Sequence, residues 1–138
     1  MSKKISYSEF KIWSECPYKH KLLYIDRVRE FKGNEYTAFG TAIHSTCEQK
    51  ILNEIPNEPE YFEKIFEEEL KKLPHDVLEG IEQEKVDELL VQGRVLAPIA
   101  VPELKKHFGD FQVVSVEENI FEDMDLVEDT KFKGFIDL

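Results

Sequence analysis

The chain has 138 residues, 41% apolar and 34% charged, a composition that suits one soluble globular domain with a real core and excludes a disordered tail. No apolar run approaches the roughly 20 residues that span a bilayer, and the lysine-bearing N-terminus lacks the apolar stretch of a signal peptide. Cys16 and Cys47 are too few for a disulfide scaffold and fit a reducing cytoplasm. A net charge of −11 argues against a nucleic-acid partner until its distribution is read: residues 1–50 hold nine Lys/Arg against six Asp/Glu, and the rest hold nine against 23. Lys19, His20, Lys21, Arg27, Arg29 and Lys32 form a basic neighbourhood, readable as a phosphate-tracking segment or as a solvated helix face.

In chain order, Ser6-Tyr7-Ser8-Glu9 reads as a capping box with Ile5 and Phe10 as its staple, opening a helix that buries Phe10 and Trp13. Pro17 ends that helix and suits the first turn of the next, so Cys16-Pro17 is a joint between two short helices, the second with Tyr18, Leu22 and Ile25 on one face. Gly33-Asn34 signals a turn. Gly40 then leads into an amphipathic helix in which Ile43, Cys47, Ile51 and Ile55 repeat every four residues and form a buried stripe. His44 and Glu48 share that spacing one position round. A histidine and a carboxylate so placed are a half-buried histidine capped by a glutamate, a pair of metal ligands, or proton carriers.

Pro56-Asn57-Glu58-Pro59 starts a helix with Phe62, Ile65, Phe66, Leu70 and Leu73 as its stripe, closed by Pro74. From about Ile81 a further helix uses Val86, Leu89, Leu90, Leu96 and Ala97. Pro98 and Pro102 leave open one bent helix or two shorter ones. Gly109-Asp110 closes the helical part. Phe111 to Phe121 reads as a strand, residues 122–129 as an acidic connection, and Lys131 to Leu138 as a second strand. On that strand Phe132, Gly134, Ile136 and Leu138 share one face; Lys131, Lys133, Phe135 and Asp137 share the other. The pair forms an antiparallel hairpin. A lone hairpin is marginal, so either the strands pair with another chain or, the favoured expectation, the sequence is the front part of a longer protein.

Four elements in order, Ser6 through Cys16-Pro17, Gly40-x-x-x-His44-x-x-x-Glu48, a strand bearing Glu117, and Gly134-Phe135-Ile136-Asp137, resemble the RecB-like branch of the PD-(D/E)XK nuclease superfamily. The resemblance implies an α/β fold (α+β over these residues): N-terminal helices followed by the first β-hairpin of a restriction-endonuclease-like core sheet. It implies one domain over 1–138, incomplete at its C-terminus, mainly helical over 1–109 and hairpin over 110–138. It further implies phosphodiester hydrolysis with Mg2+ or Mn2+, with Asp137, His44 and Glu117 as catalytic metal ligands converging on one cleft. Glu118 competes with Glu117, because a single bulge exchanges strand faces. Glu48, Gly40 and Gly134 support the site, and Lys19, Lys21 and Arg27 are DNA-binding candidates.

The family's (Glu/Asp)-x-Lys is expected on the strand after the glycine-aspartate motif. The pattern occurs at residues 9–11, 30–32, 48–50, 69–71, 103–105 and 129–131, all ahead of Asp137, and none is taken as the catalytic pair. The expectation is therefore the N-terminal portion of an exonuclease-type DNA nuclease of recombination, repair or phage DNA processing, cytoplasmic in a bacterium or in a phage host, and inactive by itself. Partners are DNA and recombination or repair proteins, without a membrane. A non-catalytic DNA-binding or assembly module of the same fold is the alternative, and an unrelated helical interaction domain is a third reading that the motif order disfavours. Cys16 is read as structural, with an iron–sulfur cluster as the minority reading.

Overall fold

A computed structural model describes residues 3–28, 31–52, 55–125 and 128–137, and for Asp137 the backbone alone. The chain divides into two compact units, one made of Met1–Phe31 with Ser115–Leu138, the other of Lys32–Val114. The architecture is α/β, with the helices lying in sequence between the first strand and the last two strands of a small mixed sheet.

The second unit is built on three long helices: α3 (Glu35–Ile51), α4 (Glu58–Lys71) and α6 (Gln83–Phe108), with the short α5 (His75–Leu78) between the last two. Gly33, at φ 78°, turns the chain into α3. Asn34 then caps that helix, its side chain accepting from the Thr37 N–H at 3.0 Å while the Thr37 hydroxyl accepts from the Asn34 N–H at 2.9 Å. Helix α3 thus begins five residues ahead of Gly40, which lies inside it and does not lead the chain in.

The expected stripe of Ile43, Cys47, Ile51 and Ile55 is also displaced. Residues 43, 47 and 51 are half-buried, and residue 55 lies past the helix end. The fully buried stripe is Ala38, Ala42 and Thr46. The cause lies on α4, where Phe62 and Phe66 are fully buried and stack with centroids 5.6 Å apart. Small residues on α3 admit those rings, and Phe39 meets both edge-on at 5.5 and 6.1 Å. Burial of each ring contributes about 1.5–3 kcal/mol. Thr46 satisfies its buried hydroxyl by donating to the Ala42 carbonyl at 2.7 Å.

Helix α4 follows its expected stripe, capped by Asn57, which accepts from the Glu60 N–H. Helix α6 passes through Pro98 and Pro102 as one continuous helix and buries Leu89, Gly93, Ala97 and Val101. Each proline removes one backbone hydrogen bond, a loss carried within a helix seven turns long. Gly93 has a steric reason to be glycine: a Cβ there would fall 2.0 Å from the Phe62 ring.

In the first unit, β1 (Lys3–Ser6) leads directly into α1 (Tyr7–Glu15). Cys16 separates α1 from α2 (Pro17–His20), which runs on into a π-helical turn over Lys21–Ile25. The joint at Cys16-Pro17 is therefore present. Ser6 does cap α1, accepting from the Glu9 N–H at 3.1 Å, but Glu9 does not reach back. Its carboxylate instead meets His20 Nε2 at 2.8 Å. Contrary to expectation, Phe10 and Trp13 are each half exposed, and Tyr18 and Ile25 are largely exposed.

The sheet contains β2 (Glu117–Asp123) and β3 (Thr130–Asp137) in an antiparallel hairpin, with β1 parallel to β3 on its other side, giving the order β1-β3-β2. The first hairpin strand starts later than expected: residues 111–115 are irregular, and the ladder extends through Asp123 into the acidic segment. Strand β1 had no sequence signal. Leu138, Arg29 and Glu30 lie outside the described residues.

Candidate metal centre

The sheet places two of the expected ligands by register. Glu117 stands directly opposite Asp137 in the β2–β3 ladder, while Glu118 stands opposite Ile136. No bulge intervenes between the two strands, since every residue from 117 to 123 pairs one-to-one with 137 down to 131. Cross-strand partners share a face and lie about 4.5–5.5 Å apart at Cβ. The ladder therefore favours Glu117 over Glu118 as the companion of position 137. Gly134 pairs with Ile120 at the centre of β3, and a Cβ there would make an ordinary contact at 3.5 Å, so its backbone imposes no demand for glycine.

His44 and Glu48 belong to the other unit, on consecutive turns of α3. His44 Nε2 and Glu48 Oε1 are 3.6 Å apart, too far for a hydrogen bond, and both atoms are shielded from solvent without a protein partner. The histidine side chain as a whole is 41% exposed, so its ring edge is open while the nitrogen is not. A buried donor or acceptor left without a partner costs about 1–3 kcal/mol. An ion accepting both atoms removes that cost. One nitrogen and one carboxylate oxygen at this separation suit a divalent cation that takes mixed N and O donors, such as manganese. Among the described residues, no group of three or more His, Cys, Asp or Glu side chains gathers closely enough to hold a metal ion. The structure thus supplies two pairs, one per unit.

Around the histidine, Gly40 lies one turn earlier on the same face. It is exposed, and a Cβ there would meet nothing within 4 Å. The adjacent Cys47 thiol is pushed up from its usual pKa, first by burial and then by the charge of Glu48, so it stays protonated. Cys16 is exposed in the other unit.

Of the (Glu/Asp)-x-Lys patterns, those at 9–11, 48–50, 69–71 and 103–105 lie on helices. Glu30 lies outside the described residues, and Asp129, at φ 54°, occupies the hairpin loop ahead of Lys131. None follows Asp137 on a described strand. Of the DNA-binding candidates, Lys21 donates to Asp26 at 2.6 Å, whereas Lys19 and Arg27 are exposed. Lys32 pairs with Asp76 at 2.5 Å, which holds the aspartate below its usual carboxylate range. No described helix is long and apolar enough to cross a membrane.

The family model of the PD-(D/E)XK nuclease superfamily matches residues 4–138. No curated protein and no solved structure matches the chain.

Proposed function

Since the chain belongs to the PD-(D/E)XK nuclease superfamily, we propose that it is a metal-dependent DNA nuclease, exonuclease-type and of the RecB-like branch. Its place is in recombination, repair or phage DNA processing in the cytoplasm. The observation that carries this reading is Gly134-x-x-Asp137 on β3 with Glu117 directly opposite. Membership alone supports nuclease chemistry on DNA and the use of Mg2+ or Mn2+.

In this reading Asp137, Glu117 and His44 hold the cation. Glu48, one helical turn from His44 with its Oε1 3.6 Å from Nε2, lines the same side of α3 and supports the site. When bound, the cation supplies Lewis acidity, lowering the pKa of water and offsetting charge that builds on the scissile phosphate. In the same reading a (Glu/Asp)-x-Lys pair completes the centre.

The test is Asp137→Ala in the protein extended through its downstream reading frame. Manganese-dependent cleavage of DNA falls below detection while the circular dichroism spectrum is unchanged. Undiminished cleavage places the centre elsewhere. An extended parent that binds DNA but cleaves none with either metal favours the non-catalytic module.

A further inference from the structure

Beyond the paired acidic positions, the same face of the sheet carries a graded row of side chains. Register aligns Lys4 with Lys131 and Asp123, then Ser6 with Lys133 and Phe121, then Phe135 with Asn119, and last Asp137 with Glu117. Along β3 the face passes from basic to aromatic to acidic. Successive rows are about 7 Å apart, twice the rise per strand residue. Position 137 therefore lies about 7 Å from position 135 and about 14 Å from position 133.

The aromatic rings on this face are open. Phe121 is 44% exposed and Phe135 52%. Lys4 and Lys131 place their ammonium groups 5.4 and 5.1 Å from the Phe121 ring centre, and Lys133 lies 5.1 Å from that of Phe135. Asp123 neutralises part of this charge, at 2.9 Å from Lys131 Nζ. Lys4 and Lys133 have no carboxylate within salt-bridge distance among the described residues.

We infer that this face binds single-stranded nucleic acid, with Phe121 and Phe135 stacking bases and Lys4, Lys131 and Lys133 tracking phosphates. The inference rests on the nuclease reading above and adds the strandedness of its substrate. Charge complementarity requires a polyanion on a chain that is otherwise acidic. The rings narrow the choice, because a duplex hides its base faces in its own stack, whereas a single strand presents a π-face at every nucleotide. The strand would run from the basic row toward the acidic pair, leading one phosphate to positions 117 and 137.

Binding of a labelled thymidine oligonucleotide of about 12 nucleotides to the 138-residue chain, with EDTA present, reads this without catalysis. The single strand binds more tightly than a duplex of matched length. Three lysine–phosphate contacts give a slope of about −2 in the logarithm of affinity against the logarithm of salt. Phe121→Leu and Phe135→Leu keep apolar bulk but lose the stacking face, and each weakens binding about 5- to 150-fold. Lys133→Ala makes the salt slope shallower by about 0.7. Phe135→Trp, which retains a stacking face, binds like the parent. Equal affinity for duplex, unchanged affinity in both leucine variants, or equal competition by polyglutamate overturns the inference. Those outcomes leave the nuclease reading standing if Asp137→Ala still abolishes cleavage in the extended protein. Retained single-strand binding with no metal-dependent cleavage does the reverse.

Discussion

Gly93→Ala tests how the three long helices pack. The new Cβ would sit 2.0 Å from Phe62 Cε1 and Cζ and 2.7 Å from Cε2, against an optimal carbon–carbon separation of about 3.5–4.0 Å. The ring would have to move by about 1.5 Å or more, yet Phe62 is fully buried with Phe66 stacked on it and Phe39 against its edge. Overpacking of this kind costs about 1–3 kcal/mol, and complete expulsion of the ring sets a ceiling near 3–5 kcal/mol. Alanine returns about 1 kcal/mol as a better helix former. The net expectation is a loss of about 2 kcal/mol, the upper end of the overpacking range less the helix gain. With a urea slope of about 1–3 kcal/mol/M, the midpoint of helix loss by circular dichroism falls by about 0.7–2 M. In a Phe62→Leu background the clash is relieved, and the same substitution costs at least about 1 kcal/mol less. A midpoint equal to or above that of the parent would refute the close approach of α6 to Phe62.

The other glycines and charges give shorter tests. Gly40→Ala meets open space in a helix and raises stability by about 0.5–1 kcal/mol; if DNA or metal approaches that surface, cleavage by the extended protein falls while stability rises, and unchanged cleavage removes Gly40 from the site. The hydrogen bond from Lys50, then the helix N-terminal N–H of Glu58 itself, holds the Glu58 carboxyl below its ordinary value of 4.5. Its folded pKa being depressed, the stability it contributes is present above about pH 4.5 and lost as pH falls through the folded value. The stability difference between the parent and Lys50→Met therefore shrinks on acidification, and urea midpoints showing a difference constant with pH would contradict the pairing.

How much the sequence disclosed depended on where each signal was stored. The α4 stripe was legible because two phenylalanines, an isoleucine and two leucines announce an apolar face at helical spacing. The α3 stripe was misread because its buried members are two alanines and a threonine, chosen to fit rings on another helix. That information is tertiary. The exposure of Phe10 and Trp13 has the same character, since periodicity states which residues share a face and not what covers it. Strand β1 is four residues long and pairs with a segment more than a hundred positions away, so no local pattern marks it. At the candidate site, Asp137 and His44 were legible as motif positions. The preference for Glu117 over Glu118 came only from an unbroken ladder, because one bulge would have reversed it. The sharing of one β3 face by Lys131, Lys133 and Phe135 was visible in sequence, but the contribution of Lys4 and Phe121 from the other strands was not.

The parallel pairing of Lys3–Ser6 with Thr130–Lys133 also orders events during synthesis. The helical unit is a continuous segment, so its contacts can form as soon as residues 32–114 have left the ribosome. The sheet-bearing unit is assembled from both ends of the sequence, and its first strand waits for about 120 residues before its partner exists. Contacts of such long sequence separation form late and slowly. Through that interval β1 is an unpaired strand on a nascent chain, a period in which a holding chaperone would meet its open edge before Thr130–Lys133 does.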